Sequence, residues 1–108
     1  MKFGTSNPNI IDTIGIENGC VVLSLIQGVS VDESSIRDLQ YKFNVYLSYI
    51  LDGQLEEEYP HFSSNSARID LLFQYEPTGI ARDFIDKAVH QCASEGVGVN
   101  LVVGAVNV

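Results

Sequence analysis

Residues 67–75, ARIDLLFQY, alternate between apolar and polar side chains. Ala67, Ile69, Leu71, Phe73 and Tyr75 share one face, and Arg68, Asp70 and Gln74 share the other. A period of two is that of a β-strand, whose successive side chains point to opposite sides of the sheet. An arginine, an aspartate and a glutamine on one face put that face in water. The sheet that holds this strand is therefore expected to carry helices on one side only. Leu72 is the exception on the polar face.

The period changes elsewhere. Ile36, Leu39, Phe43, Leu47 and Ile50 recur at spacings of three and four, which predicts an amphipathic helix over 32–52 with its core stripe centred near Phe43 and Leu47. Ser30 and Glu33 have the spacing of a capping box, and Gly53 is placed to stop the helix in a left-handed conformation. A second helix is expected after Pro77-Thr78-Gly79, with Thr78 as cap. Its stripe is Ile80, Phe84, Ile85, Ala88 and Cys92, and Asp83–Lys87 and Asp86–His90 are possible pairs at i,i+4.

Ahead of the first helix, Ile10–Ile16 and Cys20–Gln27 read as strands joined by Asn18-Gly19, a dipeptide suited to a type I′ hairpin. Val97–Val103 reads as a last strand. Residues 1–9 form a loose lead-in, and the connector 54–66 is long enough to hold a short helix or a functional loop. The order is ββαβαβ. We expect one α+β domain over 1–108, with two layers: a four-stranded mixed sheet and two helices. A parallel crossover is expected between the last two strands, and the strand order is not readable.

With 108 residues, of which 45% are hydrophobic, the chain can build its own core. Fourteen acidic residues against six basic ones give a formal charge of −8. Nucleic acid requires clustered Lys and Arg, and the six here are scattered, so neither a nucleic-acid partner nor an anionic membrane surface is expected. Met1-Lys2-Phe3-Gly4 leads into polar residues, not into the apolar core of a secretory leader. Cys20 and Cys92 lie far apart and in no CxxC pattern, as expected for reduced thiols in a cytoplasmic protein.

No residue pattern specifies catalysis, a metal or a cofactor. Glu58-Tyr59-Pro60-His61 has E-x-x-H spacing, but Pro60 interrupts any helix there and no second copy exists. His90 and Cys92 lie about 200° apart on a helix and cannot meet. Glu56-Glu57-Glu58 is a solvated run by default. Gly96-Val97-Gly98 precedes a strand rather than a helix, so it is no dinucleotide loop.

One feature stands out. Tyr41, Val45 and Tyr49 form a second apolar stripe, opposite the core stripe of the first helix. A surface helix is ordinarily polar there. Either the 54–66 connector covers these residues or they are an interface.

The strand Asn9-Ile10-Ile11-Asp12-Thr13-Ile14-Gly15 has the form N-x-I-D-x-I-G. The helix from Leu39 to Gly53 has the form L-Q-x-K-x-N-x-Y-L-x-x-I-x-x-G. Together they resemble an uncharacterised family of small bacterial proteins, a domain of unknown function. The resemblance implies a bacterial origin and a small α+β fold, and it brings no activity or site residue with it.

The expected function is that of a non-enzymatic protein-interaction module, with Tyr41, Val45 and Tyr49 as interface and a homodimer mate or another protein as partner. The alternative is a small-molecule-binding or novel enzymatic domain near the 54–66 connector, using Asp12, Tyr59, His61 and Arg68.

Overall fold

The computed structural model describes residues 11–28, 31–62 and 66–104. The lead-in 1–9, Ile10 at the predicted start of the first strand, Ser30 and the serine-rich connector tip lie outside the described residues; Ile11 and Asp12, also expected in that strand, precede it. The elements are β1 (Thr13–Glu17), β2 (Cys20–Gln27), α1 (Ile36–Leu51), α2 (Gln54–Glu58), β3 (Ala67–Phe73), α3 (Ile80–Ser94) and β4 (Gly98–Val103). The fold is α+β, with a third, short helix placed inside the connector.

The sheet order is β1-β2-β3-β4. β1 and β2 are antiparallel, closed by Asn18 and Gly19 with φ of 51° and 80°. β2–β3 and β3–β4 are parallel. Each crossover steps one strand further in the same direction. Crossovers of one hand then place α1 and α2 of the first and α3 of the second on the same face.

The register sorts the side chains. Val21, Leu23 and Leu25 stand beside Ala67, Ile69 and Leu71, and all belong to one buried cluster with residues of α1 and α3. Phe43 and Phe84 join the two long helices edge to face, with ring centroids 5.6 Å apart. The other face carries Ser24, Asp70 and Asn100 in one row and Ile26, Leu72 and Val102 in the next. Leu72 is thus part of an apolar row on the open face.

Several details depart from the sequence-based expectation. The buried side of α1 runs through Leu39, Lys42, Phe43, Tyr46, Tyr49 and Ile50, whereas Leu47 is half-buried. The core stripe is therefore rotated from the predicted Phe43–Leu47 centre toward Tyr46. The helix begins at Ile36 rather than near Asp32. Its N-cap is Ser35, which makes no side-chain cap bond; the turn just ahead of the helix is closed by reciprocal bonds, the Ser35 N–H donating to Asp32 Oδ1 and the Asp32 N–H to Ser35 Oγ. In α3 the buried position is Ala81, while Ile80 is exposed. Its N-cap is Gly79, and Thr78 offers its carbonyl to Ala81. The i,i+4 pair on the wet side is Arg82–Asp86, at 3.3 Å. β3 ends at Phe73, leaving Tyr75 exposed.

Candidate functional site

Two features arise where α1 meets the β1–β2 hairpin. The first is a buried polar clasp. The β1–β2 ladder ends at the Thr13–Ser24 pair. One rung beyond, the Ile26 N–H needs an acceptor, and Asp12 Oδ2 supplies it at 2.8 Å. Asp12 Oδ1 accepts the Lys42 ammonium at 2.7 Å. The Tyr46 hydroxyl completes the end of the ladder. It accepts the Asp12 N–H at 2.7 Å and donates to the Ser24 carbonyl at 2.8 Å. Desolvation raises the Tyr46 hydroxyl pKa beyond the ordinary tyrosine range, with the Asp12 carboxylate adding to the rise.

Asp12 was a candidate ligand-binding residue from the sequence, and both of its oxygens are engaged in this clasp. Lys42 and Tyr46 are fixed positions of the helix motif, but neither was named as a site residue. The signal was present: Lys42 falls inside the apolar arc between Leu39, Phe43 and Tyr46. A charge in a core stripe requires a buried partner.

The second feature is a groove between β1, the outer flank of α1, and α2. Gly53, at φ 96°, turns the chain so that α2 folds back beside α1. Leu55 is fully buried and anchors the short helix. The Tyr49 hydroxyl donates to Glu58 Oε1 at 2.6 Å. Tyr49 is only 6% exposed. Burial, followed by the Glu58 carboxylate, pushes its pKa well up.

The groove comprises adjoining hollows. One of about 310 Å³ lies against Ile11, Ile14, Val45 and Tyr49, and one of about 480 Å³ is lined by Tyr41, Ser48 and Asp52 among others. A third adds Glu57 beside Asp52 and Glu58. Tyr41 stands 53% exposed. The predicted stripe is thus divided: the connector covers Tyr49, Val45 is half-buried, and Tyr41 meets solvent.

The other sequence candidates do not gather. Tyr59 packs partly against the core after α2, and His61 is exposed. Arg68 lies on the open face of the sheet, where Nε donates to Asp70 Oδ1 at 2.8 Å and Glu17 is 3.5 Å away. The hydrogen bond to Asp70 raises its already high pKa. Cys92 is buried, and desolvation raises its thiol pKa, opposite to the shift that activates a nucleophile. Among the described residues, no three His, Cys, Asp or Glu side chains gather as a metal site, and no helix is long and apolar enough to cross a membrane.

These features define a two-layer α+β protein with one helix clasped to a hairpin and an apolar, acid-rimmed groove beside it. The chain belongs to the Family of unknown function (DUF6572), whose model matches residues 4–105. Neither a curated protein nor a solved structure matches it.

Proposed function

We propose that this protein is a non-catalytic interaction module, and that its groove receives a segment of another protein bearing both apolar and cationic side chains. The composition of the groove carries this reading. Ile14, Val45 and Tyr49 supply apolar wall, Tyr41 is available at the rim, and Asp52, Glu57 and Glu58 supply negative charge, with no Lys or Arg among the described lining residues. A buried apolar anchor gives affinity, and complementary charge speeds and orients the encounter. The same charge disfavours a second copy as occupant, because each copy brings a net −8 and the same carboxylates. The setting we propose is the bacterial cytoplasm, where Cys20 and Cys92 remain free thiols.

The chain contains no tryptophan. A probe peptide alternating Lys and Val, with one Trp, therefore reports binding through its own fluorescence. Binding to the wild type is expected to weaken by about tenfold or more in Val45→Glu and to weaken with added salt. Equal affinity for a folded Val45→Glu variant would refute the groove as the site.

A further inference from the structure

β1 lies at one edge of the sheet, with β2 as its strand neighbour among the described residues. Both residues of the Asn18-Gly19 turn have positive φ, as in a type I′ turn. In a two-residue hairpin the flanking pair, Glu17 and Cys20, exchanges both main-chain hydrogen bonds, and bonded and non-bonded pairs alternate from there. Glu17, Gly15 and Thr13 therefore spend their amide groups on β2. Ile14 and Ile16 turn their N–H and C=O outward, to the edge that no described strand pairs with.

The side chains of the same two residues face the helix layer, since Ile14 is in register with Leu23 and Ile16 with Val21. Ile14 lines the groove, and Ile16 is 57% exposed. An edge strand is ordinarily protected by Lys, Pro or a bulge. TIGIE contains no Lys or Pro, and its pairing with β2 runs without interruption from Thr13 to Glu17.

We infer that β1 is a docking edge, and that an extended cationic segment of the partner protein adds to it as a fifth strand. This rests on the groove reading above and specifies its mode. A strand added about 4.8 Å beyond β1 pairs with the outward groups of Ile14 and Ile16 and turns alternate side chains toward Val45 and Tyr41. Apolar residues on that face enter the groove, cationic residues on the other face pass Glu17 at the hairpin, and a cationic residue beyond the paired stretch meets Asp52 and Glu57 at the groove's end.

The test uses the Lys–Val peptide, the same peptide N-methylated on every second amide, and an Ile16→Pro variant. Proline at 16 removes an outward N–H and no hydrogen bond to β2. With peptide bound, the Ile14 and Ile16 amides are expected to exchange with solvent about tenfold more slowly, and either N-methylation or Ile16→Pro is expected to weaken binding about tenfold. Should the peptide shift the NMR signals of Tyr41 and Val45 while Ile14 and Ile16 exchange as before, strand addition is overturned and the groove reading stands. Absence of binding at millimolar peptide overturns both. Protection of Ile14 and Ile16 that grows with protein concentration alone assigns the edge to a second copy, and overturns the foreign segment.

Discussion

Lys42 Nζ lies 2.7 Å from Asp12 Oδ1, with the lysine side chain wholly buried and the aspartate 5% exposed. This pair ties the middle of α1 to the end of the β1–β2 hairpin, and so fixes the spacing between the two walls of the groove. Removing one member of a buried pair leaves the charge of the other less compensated in the interior, at a cost of about 3–5 kcal/mol. Asp12→Asn and Lys42→Met are each expected to destabilise in that range. The double variant is expected to be more stable than the sum of the two losses, with a coupling of about 1–3 kcal/mol in urea melts. Additive losses would mean that the two groups act independently.

Alkaline pH is expected to loosen the fold through Tyr46 and Tyr49. Burial raises both hydroxyls above their unfolded value, which is about 10. A raised folded pKa contributes stability that is complete below the unfolded value and is lost as pH climbs toward the folded one. Above pH of about 10 the unfolded chain sheds protons that the native state retains, so stability falls by about 1.4 kcal/mol per pH unit for each tyrosine. Urea melts from pH 8 to 11.5 measure this slope, and Tyr46→Phe is expected to reduce it. A slope unchanged by Tyr46→Phe would contradict the assignment.

The two tyrosines of the outer α1 stripe are expected to behave differently. Tyr49→Ser removes a buried ring and its bond to Glu58, and is expected to cost about 3 kcal/mol or more. Tyr41→Ser alters an exposed residue and is expected to change stability by no more than about 0.5 kcal/mol. Thermal melts rank the two, and equal losses would place Tyr41 in the core as well.

Much of this architecture was legible in the residues. The alternation of Arg68, Asp70 and Gln74 with apolar neighbours identified a sheet with one open face, and Asn18-Gly19 identified the hairpin. The position of α1 was legible, but its rotation was not, because Tyr46 and Lys42 carry polar tips that a hydrophobic stripe leaves out. Both are buried because their polar atoms find partners distant in sequence, Asp12 at 30 residues from Lys42 and Ser24 at 22 from Tyr46. Tyr49 was placed on the outside because a five-residue helix such as α2 has too few residues to show periodicity. The groove depends on that same short helix folding back at Gly53, so its individual residues were visible in sequence while their convergence was not.

The central claim is that the groove bordered by β1, α1 and α2 is the binding surface of this protein. Its most direct test is a two-dimensional amide NMR titration of the isotope-labelled protein with the Lys–Val peptide. Perturbations are expected to concentrate at Ile14, Tyr41, Val45, Ser48 and Gln54, and to diminish as salt is added. Perturbations centred instead on Arg68, Asp70 and Asn100 of the open sheet face, or none at millimolar peptide, would contradict the account.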